Sequence, residues 1–169
     1  MRVVFFQRLS ESFKNLAPEI TILLFAILSV QPHNFLGNSV ISPFLCLSAV
    51  YYWSLYRPGH LSVLGLIIIG IVTDLLVGVN IGFTPMLFLI VFSISSWWQK
   101  ELLSKPFHII WGGFALISAI AFFIAWAIIS IFAFQYAEHE PFVIQYFMTL
   151  ISFPILGWVL SHIQRVLSG

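Results

Sequence analysis

Charge is what this chain has least of. Asp, Glu, Lys and Arg make up 8% of its 169 residues, while 60% are apolar and 17% aromatic. Soluble domains carry about 25% charged residues, so this composition excludes an ordinary water-soluble domain and reads as an integral membrane protein. Cysteine is nearly absent as well. Cys46 is the only one, it lies in an apolar run, and without a partner it excludes an intrachain disulfide framework and reads as a small core residue. The formal net charge of +1 comes from basic residues scattered over loops and ends, which form no stripe for nucleic acid.

The motifs of common catalytic sites are missing too. There is no glycine-rich phosphate loop, no HExxH pair and no acidic run at calcium-loop spacing. Serines occur in no nucleophile context. Glu138-His139-Glu140 is too short a pattern to stand as a metal site and reads as a solvated loop. The opening MRVVFFQRLSESFKNLAPE is positively charged but has no small-residue cleavage site, so Met1 to Gly169 is expected to be the mature chain. Its Arg2, Arg8 and Lys14 beside Val3, Phe5, Phe6 and Leu9 fit either an amphipathic surface segment or a frayed tail.

What is present is a succession of apolar runs, giving an expected all-α polytopic membrane protein with about six transmembrane helices in one domain over 1–169. The expected spans are 16–30, 40–55, 61–79, 83–98, 109–134 and 142–160. Pro18 and Glu19 suit the first turn of the first span, where proline is tolerated and a carboxylate meets the positive helix end. Gln31-Pro32-His33-Asn34 and Gly37-Asn38 punctuate the chain before the second span. That span should end at an interface in Tyr51, Tyr52, Trp53 and Tyr56, whose rings have an apolar body and a polar tip. Arg57 follows, then Pro58 and Gly59 as a helix stop. Asn80-Ile81-Gly82 is short enough to force spans three and four into an antiparallel hairpin, with Trp97-Trp98 near its far end. Gly112, Ala115 and Ala119 share a helix face on which a neighbour can approach closely, either within the molecule or in a partner.

The third span carries the one carboxylate set well inside an apolar run, Asp74. A helix over 61–79 rises about 28 Å, close to the roughly 30 Å hydrocarbon core. A carboxylate in lipid costs roughly 2.5 kcal/mol or more, so Asp74 must face protein, water or headgroups. It either ties down the following VGVNIG loop at an interface, anchors a polar network between helices, or belongs to a proton or ion relay. Arg57 is open in the same way, between an interfacial positive charge and a contact for a partner.

Pro43, Tyr51-Tyr52-Trp53, Leu55-Tyr56-Arg57-Pro58, Gly70, Asp74-Leu75-Leu76, Gly78 and Gly82 together resemble the rod shape-determining protein family MreD of bacteria. Length and hydropathy match over the whole chain, and the specific part lies within residues 43–82. The resemblance implies a non-enzymatic inner-membrane scaffold of the cell-elongation machinery that makes peptidoglycan. It implies an MreC-like bitopic protein as partner, with an MreB-like filament and a RodA–transpeptidase complex nearby, and no cofactor. It also implies a six-helix fold similar to the substrate-binding subunits of energy-coupling-factor vitamin transporters. The family motif carries over to Tyr52, Trp53, Arg57, Pro58, Asp74, Gly78 and Gly82. Gly59-His60 departs from the second basic residue that often follows the proline, which argues against a cluster of positive charge in that loop. The competing reading is a small-solute or vitamin-binding transporter subunit, which needs a polar pocket between helices.

Six crossings would place Arg2, Arg8, Lys14, Arg57, Lys100, Lys105 and Arg165 on one side, and the positive-inside rule makes that side, with both termini, cytoplasmic in a bacterial inner membrane. A cysteine introduced at Ser168 should then be labelled only from the inside and one at Glu138 only from the outside. Labelling of both from the outside would exclude six crossings.

Overall fold

The computed structural model describes residues 2–29, 42–132 and 140–168, with side chains described over 16–29, 42–128, 130 and 143–165. Within these the chain is all-α. Six helices follow one another: α1 (Arg2–Ser29), α2 (Leu45–Tyr56), α3 (Val63–Val77), α4 (Phe83–Leu103), α5 (Phe107–Phe132) and α6 (Glu140–Ser168), with a single 3-10 turn at Pro58–His60. Two of them, over Phe107–Ile128 in α5 and Val143–Arg165 in α6, are long and apolar enough to cross a membrane. The apolar stretches Leu16–Ser29 and Val63–Val77 are shorter. The expected punctuation at 31–38 and the side chains of residues 2–15 and of Glu138, His139 and Glu140 lie outside the described residues; the backbone of the amino-terminal arm is helical, as part of α1.

Helix ends follow local chemistry more closely than hydropathy. The first helix starts at Arg2, so Pro18 sits inside it and not in its first turn as expected. The second begins only at Leu45, because Pro43 has no N–H to give a helix and the Phe44 N–H donates to Thr149 Oγ1 at 2.9 Å. Ser62 caps α3, its hydroxyl accepting from the Gly65 N–H, and Gly78 ends α3 in the left-handed region at φ 76°. The fourth helix runs past Trp97-Trp98 through Lys100 and Glu101 to Leu103, since polar residues end a hydrophobic run without ending a helix.

At the centre stands α2. Its 12 residues rise only about 18 Å, and ten of them, from Cys46 to Leu55, are buried. Tyr51, Tyr52 and Trp53 are therefore core rings and not an interfacial belt: Trp53 and Tyr51 are 0% and Tyr52 5% exposed. They were expected at headgroup level because a polar-tipped ring suits an interface. Here each tip finds a protein partner instead, which makes burial affordable. The Trp53 Nε1–H donates to Thr21 Oγ1 of α1 at 2.7 Å, the Tyr51 hydroxyl to the Ile110 carbonyl of α5 at 2.9 Å, and the Tyr52 hydroxyl to Gln164 Oε1 of α6 at 2.7 Å. Gln99 of α4 donates to the Leu55 carbonyl at 2.7 Å. Around them Phe114 and Phe153 stack at 4.3 Å, with the Tyr51 ring 5.2 and 5.6 Å from the two.

Glycines set three of the closest approaches. A Cβ at Gly70 would lie 2.6 Å from the Pro85 backbone nitrogen, one at Gly113 3.0 Å from the Tyr51 hydroxyl, and one at Gly65 would overlap the Glu19 carboxylate. Gly112, expected to allow close approach, has nothing within 4 Å of a built Cβ; the close contact falls one residue later on the adjoining face. Gly70→Ala should cost about 1–3 kcal/mol by forcing α3 off α4, while Gly112→Ala should be neutral or gain up to about 1 kcal/mol of helix propensity. Thermal unfolding of the purified variants in one detergent checks this, and the reverse order would mean that the α3–α4 contact does not form.

Candidate functional site

Asp74 is 0% exposed and organises the α3–α4 hairpin through every acceptor it has. Its backbone carbonyl accepts from the Gly78 and Val79 N–H groups at 2.8 and 3.2 Å, closing the end of α3. Its carboxylate reaches across the turn, Oδ2 accepting from the Gly82 N–H at 2.7 Å and Oδ1 from the Thr84 N–H at 3.0 Å. Those N–H groups open α4, where a helix leaves its first donors unpaired and its dipole favours negative charge. Asp74 thus stands in for a missing N-cap side chain, because the N-cap residue is Gly82, at φ 104°. Both turn glycines have positive φ and open space around a built Cβ, so conformation and not crowding selects glycine here. Two of the readings open for Asp74 merge: it ties down the loop and it bonds one helix to the next.

A second carboxylate repeats the device at the opposite end of α3. Glu19 of α1 accepts the Ser62 N–H at 3.1 Å through Oε1 and lies against Gly65, so it too sits at a helix N-terminus. Sequence reasoning assigned Glu19 to the dipole of its own helix. It serves the next-but-one instead, because α1 continues upstream of it.

The other expected site residues divide between two further places. Tyr52 and Trp53 are the buried ties of α2 already described. Arg57 closes that helix, half-buried, with its backbone N–H on the Trp53 carbonyl at 2.8 Å, and Pro58 opens the 3-10 turn. Gln99 binds Leu55 and Gln164 binds Tyr52, which brings the neighbouring Lys100 and Arg165 to the same end of the bundle as Arg57. Asp74, Gly78 and Gly82 lie at the other end, about 16 Å along α3 from its start. The motif residues are therefore not one constellation.

Gly112, Ala115 and Ala119 lie on a third surface, where α5 meets α6. Gly112 is exposed, and Ala115 and Ala119 are half-buried. The Tyr146 hydroxyl donates to the Ala115 carbonyl at 3.0 Å and Trp111 Nε1–H to the Leu150 carbonyl at 3.1 Å. Next to these two ties, where Phe122 meets the Tyr146 ring edge to face at 6.1 Å, is a groove of about 500 Å³, lined by Ala119, Phe122, Phe123, Trp126, Val143, Tyr146 and Phe147. Gln99, Gln164, Thr21 and Thr84 had no sequence signal of their own; a polar residue one turn inside an apolar segment is the pattern they share.

Among the described residues no three His, Cys, Asp or Glu side chains lie together in a metal-binding group. No family model, curated protein or solved structure matches the chain.

The carboxylate geometry sets an order of variants. Asp74→Asn keeps one acceptor but turns an NH₂ toward the other N–H, at a cost of about 1–3 kcal/mol, whereas Asp74→Leu strands both donors at roughly 2–5 kcal/mol. Folded yield in the membrane and thermal unfolding should fall in the order wild type, Asn, Leu. Equal accumulation of the leucine variant and wild type would show that the carboxylate is not needed to hold the turn.

Proposed function

We propose that this chain is a non-enzymatic membrane scaffold of the bacterial cell-elongation machinery, of the rod shape-determining MreD type, crossing the inner membrane six times with both termini cytoplasmic. The observation that carries the reading is how the motif residues are used. Tyr52, Trp53, Asp74, Gly78 and Gly82 are all committed to internal joints of the helix bundle. What the molecule offers outward is apolar: Val143, Phe147, Ile151, Ile155 and Trp158 of α6 and Leu64 and Ile68 of α3 are exposed. In lipid such surface gains nothing by hydrophobicity alone, so association between spanning helices depends on shape, small residues and a few polar bonds.

The groove between α5 and α6 has that character, with Ala119 and aromatic rings lining it and Ala115 one turn before Ala119 on α5. It fits the single spanning helix of an MreC-like bitopic partner, through which an MreB-like filament and a RodA–transpeptidase complex would be joined. The α2 helix is too short to reach across a bilayer by itself. Its polar-tipped rings are bonded to neighbours, so the crossing it represents would be completed by the residues before Leu45 and after Tyr56.

Ala119→Leu adds bulk in the groove and Ala115→Leu adds it one turn away, where the Tyr146 hydroxyl meets α5. Crosslinking and copurification with the MreC-like protein, normalised to membrane abundance, should fall on the order of tenfold, about 1.4 kcal/mol. Gly113→Leu, which drives a side chain into Tyr51 and Leu102, should lower folded yield instead. Wild-type protein at normal abundance with no association in intact membranes would remove the scaffold reading.

A further inference from the structure

Helix register fixes a depth scale for the bundle. The Phe44 ring lies 6.2 Å from that of Phe88, and the Leu55 carbonyl accepts from Gln99 at 2.7 Å. Helices α2 and α4 therefore run side by side in one direction, with Trp98 level with Ser54. The bonds from the Phe44 N–H to Thr149 and from Tyr52 to Gln164 run α6 the same way, which brings Trp158 to the same depth. Trp97 and Trp158 are 81% and 73% exposed, and Arg57, Lys100 and Arg165 follow beyond that depth in their own segments. Exposed indoles at one depth with cations beyond them mark a headgroup level.

From that level the helices reach unequal distances. The apolar stretches of α5 and α6 have 22 and 23 residues, rise about 33 Å and span the roughly 30 Å hydrocarbon core. The 15 residues of α3 rise only about 22 Å, and α4 from Phe83 to Trp97 about as much. The α3–α4 hairpin thus ends about 8 Å short of the far boundary.

The turn at that short end suits lipid. Leu75, Leu76, Val77, Val79 and Ile81 are exposed, and no charged residue stands between Asp74 and Lys100 to reach for headgroups. Irregular backbone is kept out of lipid by the cost of its unpaired polar groups. Here five N–H groups between Gly78 and Thr84 are accepted inside the turn: those of Gly78 and Val79 by the Asp74 carbonyl, of Gly82 and Thr84 by its carboxylate, and of Phe83 by the Asn80 carbonyl. From Gly82 an open groove of about 660 Å³, lined by Ile67, Pro85, Met86 and Leu89 among others, continues along the same flank.

We propose that the α3–α4 turn is a lipid-binding surface immersed below the headgroups of the leaflet opposite the cations. Phospholipid acyl chains cover Leu75, Val79 and Ile81 and lie in the groove beside Pro85. Asp74 then pairs backbone donors at a depth where water is scarce. The inference rests on the membrane-crossing reading above and concerns a different flank from the α5–α6 groove.

Cys46→Ala provides a background for single cysteines, each variant first shown to keep the wild-type melting temperature. Nitroxide labels are placed at Ile81 and, independently, Val79, with Trp97 as the headgroup reference and the exposed Leu116 of α5 as the hydrocarbon reference. Collision with oxygen and with a water-soluble nickel chelate is measured in phosphatidylethanolamine–phosphatidylglycerol vesicles. The oxygen-to-nickel ratio at Ile81 and Val79 should exceed that at Trp97 severalfold and approach that at Leu116. In thinner dilauroyl vesicles it should fall toward the Trp97 value. The proposal is overturned if Ile81 and Val79 meet nickel as readily as Trp97 while Leu116 stays shielded, or if they stay shielded in the thin bilayer, where protein and not lipid would be the cover. A Leu116 label that meets nickel freely would remove the membrane-crossing reading, and this inference with it.

Discussion

The structure depends on burying a short helix whose side chains end in polar groups. Ten consecutive residues of α2 are inside, and among them an indole and two phenols carry donors that cannot be left unmade in a low-dielectric core. Each donor goes to a different neighbour: Trp53 to α1, Tyr51 to α5 and Tyr52 to α6. Gln99 adds α4 by reaching the Leu55 carbonyl. A satisfied bond of this kind contributes only about 0.5–1.5 kcal/mol net, but an orphaned donor costs about 1–3. The asymmetry makes the rings specify position more than they add stability. A neighbour shifted by one turn would lose its bond and leave the donor stranded, so α2 indexes the four helices around it.

The remaining helix, α3, is placed by charge. Glu19 meets its N-terminus from α1, and Asp74 leaves its far end to meet the N-terminus of α4. Two carboxylates inside apolar stretches look expensive when read one residue at a time. Each is offset by backbone N–H groups that a helix start must expose anyway, together with the positive end of the dipole. The glycines follow from the carboxylates. Gly65 leaves room for Glu19, and Gly78 and Gly82 turn the chain so that Asp74 can reach forward. Gly70 then lets α3 and α4 close on Pro85.

Much of this was legible in the sequence, at the level of elements. The all-α class, six helical segments, the tight α3–α4 turn and the importance of Asp74 follow from hydropathy, punctuation and the cost of a buried charge. What could not be read is partnership. Tyr51, Tyr52 and Trp53 have the same composition in an interfacial belt as in a core, and the difference lies in Ile110, Gln164 and Thr21, residues remote in sequence with no periodic signal. The same holds for Gly112 and Gly113. Adjacent glycines on a helix face different neighbours by about 100°, and only the packing of Tyr51 decides which of them is crowded. A helix start could not be read from Pro18, because α1 runs on upstream of it.

This internal economy bears on what the molecule can do with its surfaces. The end marked by Arg57, Lys100 and Arg165 is tied by side-chain bonds between α2, α4 and α6, whereas α5 and α6 are joined to each other by ring contacts, among them the Phe114–Phe153 stack, and by two ring-to-carbonyl bonds, from Trp111 and Tyr146. Next to Tyr146 lies the groove, lined from both helices. The bonds that index α2 to α5 and α6 lie at Ile110 and Gln164, away from this groove. The Asp74 turn, by contrast, is over-determined by four backbone donors on one residue. The side-chain bonds at the α2 rings and at the Asp74 turn thus hold the bundle together, and none of the residues lining the α5–α6 groove takes part in them.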